Sequence, residues 1–400
     1  MSTSALENRG PLEGLRVIEM GQLIAGPFCG QLLGDLGADV VKVEAPGRGD
    51  PMREWGQPGF PLFWEILGRN KRTISLDLRK PEGQALARRL IGRADILIEN
   101  FRPGTLEGWN LSPERLHQDN PGLIVVRISG YGQTGPYAGR AGFGGIGEAM
   151  GGWRHIVGDP DRPPSRMGVS IGDSLAATFG CVGALAALRH REATGEGQVV
   201  DSSLYESVLH VMESLVPDYA LAGHVRERSG SILPGVAPSN VYRCRDGDYL
   251  IAANHDSVFQ RLAQAIGRPE LGADPRYATH LARGERQAEL DALIEAWTRE
   301  HTVAQVEAAM IEAAVPAGKI YRAADMLNDP HFQARAALIE LDHPRWGRLP
   351  MQNAFPKLSR SPGSVRTAAS QAVGQHNAEV FGELGLGPAE LQALAAAGVV

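Results

Sequence analysis

The sequence predicts an α/β protein: a Rossmann-like large domain on a parallel sheet, followed by a smaller α+β domain. Three observations carry this expectation. Strand-like and helix-like segments alternate over residues 15–129. The texture changes beyond the loop Ser229–Pro238, where a hairpin and several amphipathic helices follow. The chain of 400 residues is also longer than one typical domain. The expected division is 1–224 for the first part of the large domain, 225–325 for the small one, and 326–400 for a segment that returns to the large domain.

The elements follow in order. Leu15–Met20 is a short apolar run and reads as a buried strand. It enters the turn Gly21–Pro27, where Pro27 can open a helix at its first position. Phe28, Leu32 and Leu36 then recur at helical spacing, and Gly37 stops the helix. Ala38–Glu44 is the next strand. A strand–helix–strand unit of this kind implies a parallel pair with a right-handed crossover. The stretch Arg48–Trp64 is irregular. Strand Thr73–Leu78, a helix opened by Pro81 with Leu86 and Leu90 inward, strand Ala94–Glu99, a short helix near Ser112–Gln118 and strand Leu123–Ser129 continue the alternation.

Next, the short apolar run Met167–Ile171 meets Gly172-Asp173-Ser174, and small apolar residues follow from Leu175 to Leu188. Gln198–Asp201 reads as a strand and Leu204–Leu221 as one long helix. In the smaller domain a hairpin pairs Asn240–Cys244 with Tyr249–Ala253 about Asp246-Gly247. Helices follow on Phe259, Leu262 and Ile266, then on Leu290, Leu293, Ile294 and Trp297, and Thr302–Gln305 has the form of a capping box. Strand-like pieces near Ile339–Leu341 and Leu349–Met351 precede two short helices, the second opened by Pro388.

Composition excludes several function classes. The net charge of −6 gives no broad attraction to nucleic acid or anionic membrane. The run Leu175–Leu188 is too short to span a bilayer. Cys29, Cys181 and Cys244 lack C-x-x-C spacing and read as reduced thiols of a cytoplasmic protein. The histidines have no metal-site spacing. The first strand–helix turn carries only Gly21 and Gly26, so a nicotinamide or flavin fingerprint is absent, and no Walker A or G-x-S-x-G sequence occurs.

Two features point to chemistry. Arg48, Lys71, Arg72, Arg79, Arg102 and Arg140 recur at expected strand ends and loops. As a set they suit an anionic ligand with several phosphates or carboxylates. Asn100-Phe101-Arg102 directly follows a strand, where an aromatic beside an amide can hold a flat base. The second feature is Asp173 at the amino edge of an apolar helix. There it reads either as an ordinary N-cap or as a carboxylate nucleophile steadied by the helix dipole.

Gly14–Val17 through Ala25-Gly26-Pro27, Gly37–Glu44, Asn70–Ile74, Ala94–Phe101, Gly172-Asp173 with Thr194-Gly195-x-Gly197-Gln198, and Asp274–Tyr277 form six ordered blocks. In these the sequence resembles the class III (CaiB/BaiF, formyl-CoA-transferase-like) coenzyme A transferases over nearly its whole length. The resemblance implies two chains interlocked as a homodimer, with no metal and no permanently bound cofactor. Coenzyme A thioesters and small carboxylates would be the substrates. It implies that Asp173 is the nucleophile, passing through an aspartyl anhydride and an aspartyl-CoA thioester. Leu76, Arg79, Asn100 and Phe101 match positions that contact coenzyme A. Ala45, Ile24 and Gly108 depart from the family pattern of Arg, Gln and Arg, so Arg48, Arg72, Arg102 or Arg140 is expected to compensate. Gly230–Gly235 occupies the place of a glycine-rich lid.

The segments Gly147–His155 and Arg166–Asp173 resemble members that exchange coenzyme A among small dicarboxylates. A distal carboxylate needs a cationic partner, and Arg154, His155 and Arg166 are the candidates. The expected reaction joins succinyl-CoA to malate, mesaconate, itaconate, citramalate or glutarate. The alternatives are an α-methylacyl-CoA racemase, for which the aligned segment Ala141–Gly145 lacks the required histidine, and a non-catalytic CoA-binding protein.

Overall fold

The computed structural model describes residues 10–400. They fall into two compact units. One contains the chain to Trp153, Met167–Leu215 and Arg335–Val400; the other contains Arg154–Arg166 and Val216–Ala334. The second unit therefore begins and ends outside the sequence boundaries of 225–325 and draws in a segment from before Asp173.

The first unit is built on six strands: β1 (Arg16–Glu19), β2 (Asp39–Glu44), β3 (Lys71–Ser75), β4 (Ile96–Glu99), β5 (Ile124–Ser129) and β6 (Val199–Ser203). Their order is β3-β2-β1-β4-β5-β6, and each neighbouring pair is parallel. Successive strand residues enter opposite cores. Ile18, Val41, Leu97 and Val125 pack with Leu86 and Leu90 of helix Pro81–Ile91 and with Val380 and Phe381 near the C-terminus. Val17, Val40, Ile96 and Val126 pack with Leu33 of helix Ala25–Asp35 and with Ala176, Ala177 and Ala184. Burial on both faces explains why these strands read as continuous apolar runs. The strand order reverses between β1 and β4, which opens a crevice at their carboxyl ends.

Two helix expectations need correction. The Asp173 helix spans Ile171–Thr194, 24 residues. By length and composition it could cross a bilayer, so the shorter run was an underestimate. Here it lies on the sheet: a Cβ on Gly180 would stand 3.2 Å from Val126, and one on Gly183 would strike Val200. Residues 204–221 do not form one helix. They form Leu204–Leu209 and Leu215–Ala222, with Glu213 between them at φ 53°. Pro217 is the reason. It lacks an N–H and collides with the carbonyl one turn back, so it is tolerated only in the first turn of a restarted helix.

The second unit has an antiparallel sheet of β7 (Ser239–Arg243), β8 (Asp248–Ala252) and β9 (Ala317–Lys319). Tyr242, Tyr249 and Ile251 share a core with Phe259, Leu262, Leu290, Ile294 and Val306 from its helices. The buried guanidinium of Arg283 donates to the carbonyls of Ala237, Tyr277 and Asn254 and to Asp256. A hairpin of β10 (Leu338–His343) and β11 (Gly347–Gln352) belongs to the first unit. There His343 Nε2 lies 2.8 Å from Glu65.

Candidate active site

The site grows from the turn that leaves β1. Gly21 and Gly26 face each other across it: a Cβ on either would stand 2.8 Å from the other's Cα. These two glycines close the turn upon itself, which accounts for their spacing. Asn100, directly after β4, clamps the turn from the side. Its Oδ1 accepts from Gln22 N at 2.8 Å, and its Nδ2 donates to Gln22 O at 2.9 Å. Leu23 takes the left-handed conformation, φ 62°, uncommon for a side chain of this kind. Its N–H is held by Asp50 at 3.1 Å.

Beneath the turn lies a buried ionic network. Lys42 on β2 donates to Gly21 O at 2.8 Å and to Glu19 at 2.8 Å, and pairs with Asp50 at 2.8 Å. Lys71 on β3 pairs with the other Glu19 oxygen at 2.5 Å and donates to Pro27 O at 2.6 Å. Burial alone would lower the Lys42 pKa, but Glu19, Asp50 and Glu44 raise it above the ordinary lysine value. For Lys71 burial wins, and its pKa is lowered despite Glu19. Asp50 is held below the usual carboxylate range: burial opposes this, and Lys42 outweighs it. An ion pair this deep is costly to break from one side, because the surviving charge is left without water.

Asp173 enters from the other side. It is the third residue of its helix, not the cap; Ser170 occupies the cap position. It still lies within the first turn, where the helix dipole is felt. Its carboxylate rests against Gly144, the first residue of helix Gly144–Met150. A Cβ on Gly144 would overlap Asp173 Oδ2, and one on Gly172 would come 2.9 Å from Gly144 O. Only glycine at 144 lets the carboxylate sit there. Gly130 and Gly142 likewise approach Cα to Cα, pinching the loop between β5 and that helix at its base.

These elements enclose two adjoining cavities in the first unit. One, of about 170 Å³, is lined by the Gln22–Ala25 turn, Asn100, Phe101, Ile128–Gly130, Gly142, Phe143, Leu204 and Asp173. Asp173 is the single ionisable side chain among these described residues. The other, of about 220 Å³, is lined by the carboxyl ends of β1, β2 and β3, with Arg48, Leu76, Arg79, Phe101 and Trp109. Gln22 and Phe101 line both. Phe101 is braced edge-on by Trp109, ring centroids 5.0 Å apart. Its N–H donates to Glu99 at 2.7 Å. Burial pushes the Glu99 carboxyl up to about 7, against the pull of Arg127, which it accepts from at 2.7 Å.

The expected site residues divide. Asp173, Asn100, Phe101, Leu76 and Arg79 meet around the two cavities. Arg102 is exposed just after β4. Arg140 lies on the loop after β5 with its guanidinium 3.6 Å over the Tyr137 ring. Arg72 is a correction. It sits near the amino end of β3, the opposite end from both cavities, and its guanidinium is held by Asp39, Glu379 and Glu383 at 2.6, 2.8 and 2.6 Å. A basic residue beside a strand reads alike at either end; strand register decides which. Arg154, His155 and Arg166 lie in the second unit, where His155 pairs with Glu227 at 3.2 Å. Among the described residues no cluster of three or more His, Cys, Asp or Glu could hold a metal. Gln22, Gly144, Trp109 and the Lys42–Asp50 pair were missed. Only Gly144 had a sequence signal, the glycine pair before an apolar segment.

Comparison with known proteins bears on the whole chain. The family model described as CoA-transferase family III matches residues 12–377. The succinyl-CoA--D-citramalate CoA-transferase of Chloroflexus aurantiacus is 59% identical over 378 residues, covering 94% of each chain. The succinyl-CoA--L-malate CoA-transferase beta subunit of that organism is 42% identical, again over 94% of each. The crystal structure of a CAIB/BAIF family protein from Brucella suis aligns with a TM-score of 0.83 and 35% identity, over 94% of this chain and 100% of that one. The chain thus belongs to CoA-transferase family III.

Proposed function

We propose that this protein transfers coenzyme A from succinyl-CoA to a small dicarboxylate, with citramalate the first acceptor to test, and that Asp173 carries the acyl group. One observation carries the reading. Asp173 is the lone ionisable side chain lining a cavity that adjoins a second one rimmed by Arg48 and Arg79. Coenzyme A would lie along the second cavity with Phe101 and Leu76 against its apolar arm and the arginines toward its phosphates. Arg102 and Arg140 are the further basic groups proposed for it.

An Asp173 oxygen attacks the thioester carbonyl; the C–S bond breaks and the CoA thiolate leaves. The aspartyl anhydride is then attacked by the thiolate at the aspartyl carbonyl. This releases succinate and leaves an aspartyl-CoA thioester. The acceptor carboxylate reverses both steps. Each step exchanges one activated acyl bond for another, which divides a difficult exchange into two passable ones. An α-proton transfer would need a second acid–base group, and no histidine lines the cavity.

Arg154, His155 and Arg166 are the groups proposed to meet the distal carboxylate. We also propose a homodimer; exposed Val182 and Leu185 on the outer face of the Asp173 helix suit a covered surface. The three cysteines are unpaired and buried, which suits a reducing compartment such as the cytoplasm. The test is to incubate the protein with succinyl-CoA and hydroxylamine and map modified peptides. Hydroxamate on the Asp173 peptide is expected; its absence from that peptide would overturn the assignment. Labelled succinyl-CoA with a panel of acids should label dicarboxylates only, and transfer confined to monocarboxylates would refute the acceptor class.

A further inference from the structure

We propose that the side-chain amide of Gln22 is a catalytic hydrogen-bond donor to the thioester oxygen. This rests on the Asp173 reading above and deepens it. The reacting carbon must lie where coenzyme A passes from its own cavity into that of Asp173. Two side chains line both cavities, Gln22 and Phe101. Phe101 has no hydrogen to donate. Asn100 lines the Asp173 cavity alone, and its amide holds the Gln22 backbone through Oδ1 and one Nδ2 hydrogen. Gln22 is exposed, and its side-chain amide has no hydrogen-bond partner among the described residues.

The backbone around it is unusually fixed for a loop. Gln22 N–H and C=O are both clamped by Asn100. The carbonyl before it is held by Lys42, the N–H after it by Asp50, and Leu23 is left-handed. Backbone held in a sparsely populated conformation by surrounding structure marks places where geometry matters to function. A rigid turn fixes the Cα from which the Gln22 amide reaches the cavity, which lessens the reorganisation required of an oxyanion donor.

In the step itself, Asp173 Oδ adds to the thioester carbon and the C=O electrons move to oxygen. The Gln22 N–H stabilises that negative charge. The electrons return as the C–S bond breaks, giving anhydride and thiolate, and no proton is transferred. The same donor serves the reverse step on the acceptor side.

The test compares Gln22→Ala and Gln22→Glu in the full-length protein, with succinyl-CoA and citramalate as substrates. Gln22→Ala should lower kcat by roughly 10²–10³ while KM for succinyl-CoA stays within about threefold. Gln22→Glu should fall below Gln22→Ala, because a carboxylate opposes the oxyanion where a merely structural role would tolerate so similar a shape. The urea midpoints of both should match the parent, since the clamp uses backbone atoms. If both variants keep kcat within about threefold while Asp173 is still trapped by hydroxylamine, the Gln22 role is overturned and the Asp173 reading stands. A loss confined to KM overturns it equally. Failure to trap Asp173 in the parent overturns both.

Discussion

The two ends of the six-stranded sheet use the same kinds of residue for opposite purposes. At the amino end, Arg16, Asp39, Arg72, Glu379 and Glu383 form a partly exposed mesh, and Arg191 pairs with Asp95 at 3.0 Å. These pairs fasten helices to the sheet, and solvent screens them. At the carboxyl end, Glu19, Lys42, Asp50 and Lys71 are buried beneath the Gly21–Ile24 turn, while the cavity above holds Asp173 alone among ionisable groups. Charge at the amino end joins elements. Charge at the carboxyl end sets a backbone, and above it a single carboxylate lines the cavity. The difference follows from topology: the strand order reverses at β1 and β4, and only the carboxyl ends open into a crevice there.

The comparison can be broken most sharply at Asp173. Asp173→Ala should lower kcat by on the order of 10⁴ or more; a steady-state assay checks this, with thermal melting to show that the variant is folded. Lys42→Met should destabilise the fold by roughly 3–5 kcal/mol, measured by urea unfolding, because Glu19 and Asp50 lose a shared partner. A cost near that of a surface pair would erase the contrast between the two ends. Gly144→Ala should cut kcat by about 10², since its Cβ would displace the Asp173 carboxylate, and unchanged kinetics would show that this contact is not needed.

Two smaller effects sharpen the contrast. Glu99 keeps its proton in the folded chain up to a pH of about 7, above the ordinary carboxylate range. The folded state therefore binds more protons between those values, so its contribution to stability is largest at low pH and declines as pH rises to 7. Glu99→Gln removes this decline, and its urea midpoint should gain on the parent's between pH 5 and pH 8. Arg72→Ala should cost about 1 kcal/mol or less and leave KM for succinyl-CoA unchanged. A raised KM would return Arg72 to the coenzyme A site.

Much of the first unit was legible because its strands are buried on both faces, which writes a continuous apolar run for each. The Leu204–Leu221 expectation failed on one residue, Pro217, whose backbone geometry outweighs a helical apolar pattern. The expectation of a nucleophile at Asp173 rests on the blocks around it; alone, a Gly-Asp-Ser turn is an ordinary helix start. Gly144, Gln22 and the Lys42–Asp50 pair carried little or no local signal, because their roles arise from chain segments far apart in sequence meeting at one point.

The sequence by itself determined the alternation of strands and helices and the family, and it singled out Asp173 as the nucleophile to propose, since these depend on local periodicity and on ordered motifs. Tertiary structure alone decided which basic residues share an end of the sheet with Asp173, that two glycines close the turn after β1, and that a buried lysine holds it. Those facts depend on strand register and on close approach between distant backbones. No window of neighbouring residues encodes them.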